Sequence, residues 1–280
     1  CWRGKRRGWQ ELSPRLIRRL VVYFPLKKLK DLALRLKTGL DSNITGPKAL
    51  TPLHLAAQCN RSNLVGLLVK FCRWLLCYDG LTPLHLASQQ GHADAVIQLL
   101  RDKADPGVKD RLGRTALHWA ASSQGESSVV DLLLSAKANP STTDNEKRTA
   151  LHLAAMEGKL DAVTSLLSHK AKGGAKDMDG STPLHYAAAG GHASVVSALL
   201  QSLNSKRREE RNAWRKTLLH VAAEKGHDSV AVLLLEAGAK INTTDHSKDT
   251  PLHCAARGKK PFNFRQISII YHESDFIFPH

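Results

Sequence analysis

The stretch Thr182-Pro-Leu-His185-Tyr-Ala-Ala-Ala-Gly-Gly191-His192-Ala-Ser-Val-Val-Ser-Ala-Leu-Leu200 contains the plan of most of the chain. A threonine hydroxyl can accept a hydrogen bond from the free backbone N–H groups at a helix start. Proline suits the first helical turn, where its missing N–H is not needed. Ala187 and Ala188 are small enough to let neighbouring helices approach closely. Glycine then permits the left-handed turn that ends the first helix. Val195, Val196, Leu199 and Leu200 fall on one face of a second helix. One such pair cannot bury that face alone, so it needs copies of itself.

The copies are present. The tetrapeptide recurs as Thr51–His54, Thr82–His85, Thr115–His118, Thr149–His152, Thr182–His185, Thr217–His220 and Thr250–His253. The histidines are spaced by 31, 33, 34, 33, 35 and 33 residues. Alanine pairs follow at Ala56-Ala57, Ala154-Ala155, Ala187-Ala188 and Ala222-Ala223, and Gly-His follows at 91–92, 191–192 and 226–227. Leucine-rich stretches come next, and Asp110-Arg-Leu-Gly113 and Asp177-Met-Asp-Gly180 read as tight turns between copies. A fixed period near 33 residues is the signature of a stacked repeat architecture.

With this motif and phasing, residues 45–258 resemble the ankyrin-repeat family. The resemblance implies an all-α solenoid of helix-turn-helix repeats with β-turn fingers, here six full repeats and a truncated seventh. It also implies that His54, His85, His118, His152, His185, His220 and His253 bond to their threonine and to neighbouring backbone. By the same register, Trp119 and Tyr186 are expected in the core between repeats.

Three segments flank the array. Residues 1–13 read as a basic arm, 14–41 as a degenerate N-terminal capping repeat, and 259–280 as a Phe- and Ile-rich tail outside the repeat pattern. A rival reading of 14–41 is the end of another helical domain, such as a death-fold module. The net charge is +16, and residues 1–37 hold 12 basic and 2 acidic side chains of it.

Composition narrows the function. No run of 18 apolar residues offers a membrane span. The five cysteines, Cys1, Cys59, Cys72, Cys77 and Cys254, are scattered and form no C-x-x-C, which argues against disulfide or zinc-ribbon frameworks. That usage favours a reducing compartment, the cytoplasm or nucleus. There is no phosphate-loop, nucleophile-elbow, zincin or kinase signature, so the chain reads as a non-enzyme with no cofactor. Fourteen histidines invite a metal hypothesis. Copies one repeat apart lie at roughly 8–10 Å, too far to share an ion, so no metal site is expected.

Function therefore moves to the surface. The expected activity is protein–protein interaction by a monomeric scaffold or adaptor using its concave face and fingers. Alternatives are the recognition portion of a larger signalling protein carrying a death-fold, kinase or channel module, and a basic arm binding nucleic acid or anionic membrane. The scattered lysines of the body argue against nucleic acid. By register, partner-facing candidates are Arg111, Arg114, Arg148, Met156, Glu157, Met178, Glu224 and Lys225. Trp214 falls near a finger tip; flanked by Arg211, Arg215 and Lys216, it is expected to anchor an acidic partner segment. Three departures from the period stand out. Phe71–Tyr78 replaces a polar finger, an extra residue lies near Ser122–Gln124, and Lys206–Arg211 stands in place of a tight turn.

Overall fold

The computed structural model describes residues 49–71, 76–77, 79–123, 125, 127–203 and 208–258. The basic arm, the proposed capping repeat of 14–41 and the tail of 259–280 lie outside the described residues. The chain divides into two compact units, Cys1–Ala138 and Asn139–His280.

In the first unit, three helix pairs are described: α1 (Pro52–Gln58) with α2 (Ser62–Leu68), α3 (Pro83–Gln89) with α4 (Ala93–Arg101), and α5 (Ala116–Ser122) with α6 (Ser128–Ser135). Each inner helix packs on its own outer helix and on the next inner helix, and the outer helices follow suit. The second unit repeats the arrangement with α7 (Ala150–Met156) and α8 (Leu160–Ser168), α9 (Pro183–Gly190) and α10 (Ala193–Ser202), α11 (Leu218–Lys225) and α12 (Asp228–Glu236), then α13 (Pro251–Arg257). The described residues contain no strand, only an isolated bridge between Thr143 and Thr149.

All seven tetrapeptides begin helices. Each threonine is the N-cap in extended backbone, and the histidine three residues on completes a reciprocal capping box. In Thr149 the backbone N–H donates to His152 Nδ1 at 3.1 Å, and Thr149 Oγ1 lies 2.9 Å from the same nitrogen. The familiar capping box uses Glu or Gln at this position; here the imidazole performs that task.

Two sets of histidines staple neighbouring copies in opposite directions. The tetrapeptide imidazole reaches forward: Nε2 of His54, His85, His152, His185 and His220 meets the carbonyls of Leu81, Arg114, Ser181, Lys216 and Asp249, at 3.0–3.3 Å. The acceptor in each case is the residue just before the next threonine. The Gly-His histidines reach back. Nε2 of His92, His192 and His227 meets the carbonyls of Gln58, Met156 and Ala189 at 2.9–3.0 Å. These back-reaching bonds satisfy carbonyls at the C-terminal end of the preceding inner helix, which have no partner within it.

Glycine eases the passage of the back-reaching ring at one such corner, while Asn60 takes the matching left-handed position, at φ +52, beside His92. Gly158 has φ +71, and a Cβ there would sit 2.5 Å from His192 Nδ1. The core is otherwise leucine, valine and alanine, including Leu84, Leu99 and Leu117 in the first unit and Leu151, Leu184 and Leu234 in the second, all at most 1% exposed.

The three departures fall into the same plan. At the first, Cys77 takes the aspartate position of a finger: its N–H donates to Leu81 O at 3.1 Å and its carbonyl accepts from Gly80 at 2.9 Å. Residues 72–75 and 78 lie outside the described residues. At the second, Ser123 ends α5 in extended backbone, and Gly125 comes against Gly91, where a Cβ would lie 2.5 Å from Gly91 Cα. At the third, the reading of a lost tight turn is corrected. Asn212 and Arg215 form the same turn as Asp110 and Gly113, with Arg215 N donating to Asn212 O at 2.9 Å. Arg215 takes the left-handed φ of +58. An amide oxygen can accept two backbone N–H groups as a carboxylate does, so Asn substitutes for Asp here.

Candidate functional site

The fingers are built by one side chain each. Oδ1 of Asp110, Asp144, Asp177, Asn212 and Asp245 accepts from the backbone N–H groups two and four residues on, at 2.8–3.1 Å. The aspartates are nearly buried, although their turns are exposed. Successive fingers then join edge to edge. Arg111 N donates to Asp79 O at 3.2 Å in the first unit. In the second, Met178 N donates to Glu146 O, Ala213 N to Asp179 O and His246 N to Trp214 O, at 2.8–3.0 Å.

The second carboxylate oxygen ties the finger to the inner helix nine residues on. Trp119 Nε1 donates to Asp110 Oδ2 at 2.9 Å, and the Tyr186 hydroxyl donates to Asp177 Oδ2 at 2.7 Å. Both rings are half-exposed on the finger side, which corrects the expectation that they pack in the core between repeats. The indole N–H and phenol O–H need polar partners, and the finger aspartate supplies them. Burial and the bond to Asp177 push the Tyr186 phenol well above its ordinary range. The Tyr186 ring meets His152 edge-on at 5.8 Å. Where position nine is Leu153, Arg148 donates to Asp144 instead, at 3.0 Å. Where it is Val221, the finger residue is Asn212, which has no second carboxylate oxygen to satisfy. The pairing of Asp with Trp or Tyr nine residues later was visible in the sequence, but it has meaning only once the finger folds back over the helix.

The candidate residues separate into exposed and engaged groups. In the first unit Arg111 is exposed beside the exposed Leu112, while Arg114 is half-buried with its guanidinium 5.3 Å from the Trp119 ring centroid. In the second unit Arg148 is half-buried and pairs with Asp144 and Glu146. Burial alone would lower its pKa, but these carboxylates raise it above the ordinary value. Met156 is half-buried at the end of α7, with Glu157 exposed next to it. Met178 is 64% exposed and Trp214 52% exposed, on adjacent fingers. Glu224 pairs with Lys216 at 2.7 Å, and Lys225 is exposed at the end of α11.

The expected basic flank of Trp214 is therefore rearranged. Arg211 Nη1 donates to Thr244 O at 3.1 Å and Lys216 is held by Glu224. Only Arg215 of that set stands exposed at the tip beside the indole. The described part of the inserted segment serves as a clasp. Arg208 Nε donates to Gly238 O, Glu209 accepts from Lys240 N, and Glu210 pairs with Lys176.

The tetrapeptide histidines lie in the stack. His54, His85, His152, His185 and His220 are at most 3% exposed, and burial pushes each below the ordinary histidine pKa. His118 is equally buried, with Thr115 N donating to its Nδ1 at 3.2 Å. His253 is exposed in α13. A separate cluster of Asp245, Asp249 and Cys254 brings three potential ligand atoms within 4.8 Å. Its groups are already employed: Asp245 holds its finger and lies 4.0 Å from Cys254 Sγ, and Asp249 pairs with Arg257. Burial raises the Cys254 thiol, which disfavours the thiolate that a metal would need.

Among the described residues no helix is long and apolar enough to cross a membrane. No curated protein matches the chain. A family model described as ankyrin repeats (3 copies) matches in overlapping windows, 26–110, 75–144, 94–177, 117–210, 170–245 and 203–266. The helix pairs, the finger row and these matches together place the chain in the ankyrin-repeat family.

Proposed function

We propose that the chain is a non-catalytic interaction scaffold, an adaptor that offers its finger row and the finger-side ends of its inner helices to a protein partner. The observation that carries this is a division of labour within each copy. The Thr, His, Ala and finger Asp or Asn positions repeat almost unchanged and are absorbed by the fold. The tips change completely from copy to copy, reading Leu112, Glu146, Asp179 and Trp214 at one position, and turn geometry does not require any of these side chains. Exposed variable loops on a repeated scaffold are where binding surfaces form. The fold alone does not name the process served.

The family's general role as an interaction module favours this over a basic arm that binds nucleic acid or membrane. The cytoplasm is the proposed compartment, and the isolated chain is proposed to be monomeric. Photo-crosslinking tests the surface. A photoreactive residue at Leu112, Asp179 or Glu157 should capture a protein partner, whereas one at Thr164 on α8 should not. Equal capture at Thr164, or capture of nucleic acid that disappears as salt rises, would refute the reading.

A further inference from the structure

We infer that the finger row of the second unit receives an extended acidic peptide segment with an apolar side chain at its centre. The inference rests on the interaction reading above and specifies the partner's chemistry. Its first support is the pair of large apolar tips. Met178 and Trp214 are each one residue from the hydrogen-bonded pair Asp179 O and Ala213 N, which places them on neighbouring fingers in adjacent rows. Exposed aromatic and methionine side chains on neighbouring fingers are typical anchors of an interface.

The second support is charge at the finger corners. The corner residue must adopt a left-handed φ, which glycine does freely and other residues do at a cost of roughly 1 kcal/mol. Gly180 uses glycine, but Lys147, Arg215 and Lys248 occupy this conformation at φ +60, +58 and +64. Their ammonium and guanidinium groups make no hydrogen bond or ion pair with the described residues. Three strained corners thus present cations that the fold itself does not employ.

The partner's spacing follows from the array. Neighbouring fingers sit on helices packed about 8–10 Å apart, which an extended chain spans in about three residues. Lys147 is one finger before Met178, Arg215 shares the Trp214 finger, and Lys248 is one finger beyond. An extended segment would therefore place its first two carboxylates about six residues apart, with the apolar residue midway, and a third about three residues further on. Asp179 is the acidic side chain between Met178 and Trp214; it repels a carboxylate there and leaves that place to the apolar residue. A row of phosphates has no such apolar centre, so a peptide fits better than nucleic acid.

The test uses the full chain and a fluorescein-labelled peptide in which a central Leu-Phe is flanked by Glu and Asp at three-residue spacing. Controls replace the acids by Lys, or the Leu-Phe by Gly-Ser. A single-stranded oligonucleotide and phosphatidylserine vesicles are the other arms. The acidic apolar peptide should bind, and weaken as salt rises. Trp214→Ala should weaken it about tenfold or more, and Met178→Ala and each of Lys147→Glu, Arg215→Glu and Lys248→Glu by about threefold to tenfold. All five side chains lie on the surface, and an unchanged melting temperature verifies folding. No binding of the peptide, equal binding of the Lys or Gly-Ser control, indifference to Trp214→Ala, or tighter binding of the oligonucleotide or vesicles would each overturn the inference. Partner crosslinking at Glu157 with no peptide binding at the tips would leave the interaction reading intact and remove this one alone.

Discussion

The fifth and seventh copies share the sequence Thr-Pro-Leu-His, yet the same residues meet different fates. Leu184 is 1% exposed and His185 3%, whereas Leu252 is 37% exposed and His253 is exposed as well. Both threonines cap their helices, and both imidazoles sit within hydrogen-bond distance of the threonine oxygen. The local half of the motif is thus complete in each. The difference is the neighbour. α11 covers α9, and Lys216 O receives His185 Nε2, while among the described residues no carbonyl receives His253 Nε2. A tetrapeptide therefore does two separable jobs, capping its own helix and joining the next copy, and only the second depends on position in the array.

The largest effect should come from removing the leucine. Leu184→Ala should cost about 3 kcal/mol, since a buried Leu leaves both lost transfer energy and a cavity. Leu252→Ala should cost about a third of that, because its surface is already partly wet. Urea midpoints of the two variants check this, and equal losses would break the comparison.

The histidines come next. His152→Ala and His185→Ala should each cost roughly 1–3 kcal/mol, by leaving a threonine N–H and a carbonyl buried without partners. His253→Ala should cost under about 1 kcal/mol, the worth of a single cap. Because the array is quasi-linear, the central losses should also broaden the unfolding transition. An unchanged midpoint for His185→Ala would contradict the forward staple.

Acid tests the buried histidines without mutation. Nδ1 of each buried histidine accepts from the threonine N–H, so the ring must be the neutral tautomer with its proton on Nε2. Burial holds the folded pKa values below the ordinary 6.5. The unfolded chain then takes up more protons, so this stability is complete above the unfolded pKa and is lost as pH falls below it toward the folded values. The slope is at most about 1.4 kcal/mol per pH unit for each site. Melting temperature should fall between pH 6.5 and 5, and NMR should show the His185 ring still neutral below pH 6.5. Protonation of His185 at the ordinary 6.5 in the folded chain would refute its buried environment.

On the outer side of the repeat, Gly158→Ala should destabilise by about 1–2 kcal/mol through its left-handed backbone and the clash with His192. The smallest effect has the opposite sign. Ser88 stands where other copies carry Ala57, Ala121, Ala155, Ala188 and Ala223, and its hydroxyl is buried without a hydrogen-bond partner. Ser88→Ala should stabilise by up to about 1 kcal/mol, read as a raised melting temperature.

Much of this molecule was legible in the chain. Thr before Pro or Ala predicts a cap, alanine pairs predict close helices, glycine predicts the left-handed turn, and the period predicts the stack, because each is a local preference repeated in register. Trp214 and Met178 were legible as tip residues for the same reason. Other features required side chains distant in sequence to meet. Trp119 and Tyr186 occupy one sequence position and were read as core, but the finger aspartate folded over the helix draws their polar atoms to the surface side. Arg211 and Lys216 looked like free cations around Trp214, yet Thr244 and Glu224, one from another finger and one from the following helix, claim them. The direction in which each histidine staples, and whether a leucine is buried, depend on which copy lies against it. Sequence alone determined the repeat and its caps, since backbone preference and hydroxyl geometry act within a few residues. Tertiary structure alone decided which charges remain available, since a charge is satisfied by whatever the fold brings within hydrogen-bond reach.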